Sequence, residues 1–169
     1  MKRKCVKVEI LPDNEQKKII NREINCSRFV YNHFLMLRFD LWKNEKRNLS
    51  HAEEIEMLQD LRQEEEWLKN VEKQALEQAI RDLDTDLYNY MQKKDDYPKC
   101  RRKEDKVQWY KTKSEDDSIE LLNSEKLLKL PCLGTIKINS SEYLNGQVLY
   151  VKIRKIEDRY EALLTLEIQ

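Results

Sequence analysis

The chain has 169 residues, 40% hydrophobic and 38% charged, with 32 Lys/Arg balanced by 32 Asp/Glu. That is long enough for one domain, or two small ones sharing a boundary, and apolar enough to bury a core. No apolar run approaches the ~18 residues of a membrane span, and Lys7 and Glu9 interrupt the apolar residues after the basic start, which excludes a signal peptide; the expectation is a soluble, cytoplasmic protein.

Val6, Val8 and Ile10 alternate with Lys7 and Glu9, so residues 4–10 read as a strand with one buried face. Pro12 ends it. Asp13 with Gln16 three residues later makes a capping box that opens a helix with Ile19, Ile20 and Ile24 on one stripe. A second helix is expected from about Ser27 to Lys43, its inner face carrying Cys26, Phe29, Val30, Phe34, Leu37 and Leu41. Ser50 and Glu53 form another box, opening a helix with Ile55, Leu58 and Leu61 inward. A fourth helix covers about Val71 to Met91 and faces Ala75, Leu76, Ala79, Ile80, Leu83 and Leu87 toward its neighbours. Residues 93–113 are basic, hold Pro98, and read as largely extended or loop. Short strands follow at 119–122, 127–130, 135–138, 148–154 and 160–168, with Asn145-Gly146 as a hairpin turn signal and a further turn at 157–159. The class is α+β, with the first strand joining the late ones and the helices as an insertion.

The neutral total hides segregation. Residues 1–50 hold 12 Lys/Arg against 6 Asp/Glu, residues 51–90 hold 4 against 12, and residues 91–113 hold 9 against 4. Two basic blocks around an acidic one suit a polyanion gripped in patches. Lys99, Arg101, Arg102 and Lys103 can neutralise several phosphates, and Tyr97, Trp109 and Tyr110 are interleaved aromatics able to stack on bases. For Trp109, stacking and burial against the strands weigh equally. Arg28 is placed for phosphate, whereas Phe29, Val30 and Phe34 are core. Cys5, Cys26, Cys100 and Cys132 form no C-x-x-C pair, so neither zinc nor any other cofactor is expected. His33 and His51 read as packing or surface residues without a metal-ligand partner. Asp82, Asp84 and Asp86 lie at i, i+2, i+4 on a helix, cannot converge on one ion, and read as solvated surface acids.

Five patterns in chain order resemble the N-terminal half of the TnpB/OrfB family of transposon-encoded RNA-guided nucleases. Ile10-Leu11-Pro12-Asp13-Asn14-Glu15-Gln16 resembles its L-x-P-x-x-x-Q opening. Arg28-Phe29-Val30-Tyr31-Asn32-His33-Phe34-Leu35 resembles its R-F-V-Y-N-x-F-L signature. Trp67-Leu68 followed by residues 74–83 resembles its next helix, residues 97–103 its F-P-K-F-K-K-K segment, and residues 130–137 its L-P-K-L-G-x-I-K segment. Cys100 stands where that pattern has Phe, and Cys132 where it has Lys.

The resemblance implies an oligonucleotide-binding-like antiparallel β-barrel, the wedge domain, interrupted by a bundle of about four helices. The expected division is residues 1–11 for the first wedge strand, 12–95 for the helical recognition insertion, and 96–169 for the remaining barrel. It further implies DNA and a structured guide RNA as partners, with Tyr31 in the signature helix. Lys73, Gln74 and Glu77 match positions that read target-adjacent DNA, with His51 as a nearby contact and Glu77 in place of a common Gln. The family's RuvC-like nuclease follows downstream, and the chain stops about where that fold begins. Its D-x-G strand and C-x-x-C pairs are absent here, so no catalytic residue is assigned and no enzyme activity is expected of the chain by itself. A full-length TnpB-like protein is a further expected partner. The alternatives are a structural or interaction module, a decaying transposase remnant, or a split part of an RNA-guided endonuclease. A helix-turn-helix with residues 13–43 as a major-groove reader is disfavoured, because the face of its second helix is too apolar.

Overall fold

A computed structural model describes residues 2–168. The elements in chain order are β1 (Lys2–Leu11), α1 (Asn14–Glu45), α2 (His51–Glu64), a short 3-10 turn (Glu66–Leu68) and α3 (Lys73–Met91). Then come β2 (Val107–Lys113), β3 (Glu120–Leu122), a second 3-10 turn (Asn123–Glu125), β4 (Leu127–Leu130), β5 (Gly134–Asn139), β6 (Gln147–Ile156) and β7 (Arg159–Ile168). The chain divides into two compact units: residues 1–24 with 105–169, and residues 25–104. No described helix is long and apolar enough to cross a membrane.

The first unit is built on one antiparallel sheet of order β2-β6-β7-β1-β5-β4-β3. β1 sits near its middle because both its edges are satisfied. It pairs with β7 from Lys2↔Ile168 to Ile10↔Tyr160, and with β5 from Glu9↔Asn139 to Leu11↔Lys137. The α+β class and the recruitment of the first strand by the late ones are as expected. The closed barrel is not: no ladder joins the two edge strands, β2 and β3, among the described residues. Between them Asp116 and Asp117 take left-handed conformations (φ 49° and 58°), which turn the backbone out of strand geometry. Val8, Ile10, Leu128, Ile136, Val151, Ile153, Ala162 and Leu164 alternate with polar residues and bury one face of the sheet, with Ile20 and Ile24 of α1 also buried.

Two loop expectations change. The stretch before the late strands is partly a strand, β2, because Tyr110 and Thr112 bury one face while Trp109 and Lys111 take the other. Asn145-Gly146 is not a hairpin turn, since β5 and β6 pair with other strands and not with each other. Gly146 serves a close approach instead: it has φ +116°, and a Cβ there would stand 2.6 Å from the Glu167 carbonyl oxygen on β7. Gly146→Ala is therefore expected to cost about 1–3 kcal/mol in backbone strain alone, with the clash adding to it. Gly134→Ala, with φ +69° and nothing within 4 Å, is expected to cost about 1 kcal/mol. Urea unfolding of the two variants measures the contrast. The turn at 157–159 does join paired strands, with Ile156↔Arg159 closing the ladder and Glu157 at φ 57°.

There are three α-helices among the described residues, where about four were expected. The two helices read on either side of Cys26 are one 32-residue helix. No Gly or Pro lies between Ile24 and Ser27, and the propensity cost of Asn, Cys and Ser there is under about 0.7 kcal/mol each. The buried positions Ile24, Cys26 and Ser27 continue the inner stripe without a break. Both predicted capping boxes form. The Gln16 N–H donates to Asp13 Oδ1 at 2.8 Å and the Asp13 N–H to Gln16 Oε1 at 3.0 Å, while Ser50 and Glu53 do the same for α2. In the second unit Val30, Phe34, Leu58, Leu68, Leu76, Ile80 and Leu83 form the core that α1, α2 and α3 share.

Candidate nucleic-acid interface

The sequence patterns that read as separate motifs meet in pairs. In the sheet unit Gln16 Nε2 donates to the carbonyls of Leu133 (3.2 Å) and Thr135 (2.8 Å). The residue that caps α1 thus also satisfies the turn between β4 and β5, where Cys132 and Gly134 sit at positive φ. In the helical unit Asn32 clamps residue 101. Its Oδ1 accepts from the Arg101 N–H at 2.8 Å, and its Nδ2 donates to the Arg101 carbonyl at 2.9 Å.

The helical unit carries ten of the eleven residues proposed from sequence, and only some of them turn charge outward. Arg101 is 14% exposed; its guanidinium donates to Asp82 Oδ2 at 3.2 Å and lies 3.9 Å from the Tyr31 ring centroid. Tyr31 is buried and its hydroxyl donates to Asp86 Oδ2 at 2.6 Å. Burial, then that bond, pushes its ionisation well above the usual tyrosine range, so it remains a donor. Arg28 donates to Asn25 Oδ1 at 2.8 Å and lines a shallow apolar groove with Phe29, His33, Met36 and Trp67. Lys99, Arg102 and Lys103 are exposed. On the first turns of α3, Lys73 stands 3.7 Å from the half-buried Glu77, next to Gln74. Asp82, which holds Arg101, lies two and a half turns further along α3, about 13 Å in rise from Lys73.

Asp82, Asp84 and Asp86 are not the solvated surface acids the sequence suggested. Each carboxylate holds a different partner: Arg101, Arg38 and Tyr31 respectively, with His51 Nδ1 also 3.0 Å from Asp84 Oδ2. Asp82 and Asp86, one turn apart on one face of α3, hold Arg101 and the Tyr31 hydroxyl, which stack on each other, while Asp84 reaches Arg38 of α1 and His51 of α2. His51 likewise is not without a possible co-ligand, since Glu54 and Asp84 stand beside it. Burial, with Asp84 as neighbour, holds the Glu54 carboxyl well above the usual carboxylate range.

Trp109, the eleventh residue, lies on the outer face of the sheet. Strand register puts Trp109, Lys111 and Lys113 of β2 opposite Arg154, Lys152 and Tyr150 of β6. Two columns further, Lys7 and Arg3 of β1 oppose Leu163 and Glu167 of β7 on the same face. Lys152 Nζ stands 4.6 Å from the Trp109 ring centroid, and Lys113 Nζ 6.0 Å from that of Tyr150. Glu161 pairs with Arg154. Glu9 and Glu167 are further acids of this face against Arg3, Lys7, Lys111, Lys113, Lys152 and Arg154, so its balance is positive. Sequence reasoning singled out Trp109 alone here. The period-two series Trp109/Lys111/Lys113 and Tyr150/Lys152/Arg154 was the signal for the rest, readable once residues 107–113 are known to be a strand.

Residues 1–47 match a family of helix-turn-helix domains of the OrfB type. In this chain that span folds as β1 followed by the uninterrupted α1, without a turn between two helices. The chain is 31% identical over 101 residues to a candidate RNA-guided DNA endonuclease of Streptomyces pristinaespiralis; the match takes in 59% of this chain and 25% of the relative. The matched region thus spans about a quarter of that relative's length.

Proposed function

We propose that this chain, which carries an N-terminal region of the TnpB/OrfB family, is a nucleic-acid-binding fragment that contacts DNA and a structured guide RNA and cleaves neither by itself. The observation that carries this reading is the outer sheet face, where Trp109 and Tyr150 alternate with Lys111, Lys113 and Lys152. Cations at alternate strand positions track a phosphate backbone, and aromatic rings between them offer stacking platforms to bases of any sequence. In the helical unit the same role falls to Arg28, Lys99, Arg102 and Lys103. Arg101 and Tyr31 hold the 97–103 segment in place by the Asp82 and Asp86 bonds. His51, Lys73, Gln74 and Glu77 remain the proposed readers of target-adjacent DNA, by resemblance. A cytoplasmic location and competition with a full-length relative for its guide RNA belong to the same reading.

A filter-binding titration with guide-like RNA and with duplex DNA tests it, run across a salt series. Affinity is expected to fall linearly on a log–log plot with a slope of about −3 to −5, as for several phosphate contacts. Affinity no greater than that of a neutral control protein at low salt would sink the proposal. It would leave an interaction module, the reading favoured by the acidic residues 51–90 (4 Lys/Arg against 12 Asp/Glu). Incubation of the chain with guide RNA, target DNA and Mg2+ is expected to leave the DNA intact; cleavage above buffer would overturn the non-nuclease part.

A further inference from the structure

The start of α2 and the middle of α3 share a polar cluster of which the proposed nucleic-acid contacts use His51 alone. His51 and Glu54 are one turn apart on α2, so they project from one side of that helix, and Asp84 reaches them from α3. One ligand-capable atom of each lies within 4.8 Å of the other two, and His51 Nδ1 is 3.0 Å from Asp84 Oδ2. Glu54 is completely buried, and no nitrogen donor hydrogen-bonds to either of its oxygens, which share their proton with the neighbouring Asp84 carboxyl. The nearest cation, Arg38 Nη1, stands 3.6 Å from Glu54 Oε1 because its short bond, 2.7 Å, goes to Asp84 Oδ1. Two adjacent carboxyls, one of them buried, cannot both ionise without a cation between them, and an ion bound there takes the place of the shared proton.

The geometry points to a site for one divalent transition-metal ion, held by an imidazole nitrogen of His51, a Glu54 oxygen and Asp84 Oδ2. One nitrogen and two carboxylate oxygens suit Zn2+ and its first-row neighbours better than Cu(I), which wants sulfur, or Mg2+, which keeps its water. Two ligand atoms bonded at about 2 Å to one ion stand about 3.3 Å apart in a tetrahedron. The His51–Asp84 pair is already close to that spacing, and the wider pairs need draw in by only ~1–1.5 Å. Partial exposure of His51 (37%) and Asp84 (29%) leaves a side open for a solvent ligand in the fourth position. Arg38 opposes the ion by charge, as does the positive end of α2. The two carboxylates outweigh Arg38, and its bond to Asp84 Oδ1 orients that carboxylate as outer partners of metal ligands do, leaving Oδ2 toward the ion. The sequence hides this site, because Asp84 lies 33 positions from His51.

The test uses the full chain, chelator-treated, with the exposed Cys5, Cys100 and Cys132 changed to serine so that thiolates do not compete. ZnCl2 is titrated by calorimetry, and CoCl2 by visible absorption. One equivalent of each is expected to bind, the Co2+ spectrum showing tetrahedral d–d bands without thiolate charge transfer. Zn2+ is expected to raise the thermal midpoint, and excess Mg2+ not to compete. Glu54→Gln keeps the buried volume, and His51→Ala alters a half-exposed side chain, so at least one is expected to fold by circular dichroism. Each is expected to weaken binding at least about tenfold. Absence of saturable Zn2+ binding, or unchanged affinity in the folded variants, overturns the site. No nucleic acid is present, so either result is independent of the proposed function.

Discussion

Phe34→Ala is expected to destabilise the helical unit by about 3–5 kcal/mol, the range for removing a large ring from a packed core. Phe34 is 0% exposed and sits in one cluster with Val30 and Leu35 of its own helix, Leu58 and Leu61 of α2, and Leu76, Ile80 and Leu83 of α3. Truncation removes the ring's transfer free energy and leaves a cavity that three regular helices close over only in part. Met91, 64% exposed at the end of α3, is the matched control, and Met91→Ala is expected to change stability by under about 0.5 kcal/mol. Urea unfolding followed by far-UV circular dichroism, with hydrogen exchange of α3 amides to assign the transition to this unit, measures both. A loss below about 1 kcal/mol for Phe34→Ala would mean that the three helices do not share the core described above.

The second large effect concerns binding. Lys111→Glu, Lys113→Glu and Lys152→Glu combined are expected to weaken RNA and duplex binding by about tenfold per lysine at ~50 mM salt, roughly a thousandfold together. The salt slope is expected to fall by about one for each phosphate contact removed. The three side chains are half-exposed on neighbouring strands, so the fold is expected to survive their reversal. Arg101→Ala is expected to act differently. Its guanidinium is engaged by Asp82 and the Tyr31 ring, so the variant loosens the 97–103 segment and lowers stability while changing the salt slope little. If the triple variant binds RNA as the parent chain does, the outer sheet face is not the interface. The reading would then fall back on Arg28, Lys99, Arg102 and Lys103.

These expectations mark where local pattern stopped carrying information. Both capping boxes, the alternation of β1 and β5–β7, and the core stripe of α3 were legible because each depends on residues within one or two turns, or within one strand, of each other. β2 was obscured because its inward residues include Thr112 and its outward ones Trp109, which blurs the contrast that alternation relies on. The break expected near Cys26 is absent: Ser27 is buried in mid-helix.

The sequence by itself determined the α+β class, the return of the first strand to the late ones and the capped starts of α1 and α2, since periodicity and caps are local properties. Only the tertiary structure decided that the sheet stays open and that Gly146 serves a close approach to Glu167. It alone decided which charges bind one another and which face outward: Arg101 on Asp82, Arg38 on Asp84, Lys152 over Trp109. The reason is range. A charge's role depends on what the fold brings within a few ångströms, and those partners lie 19, 46 and 43 residues away along the chain.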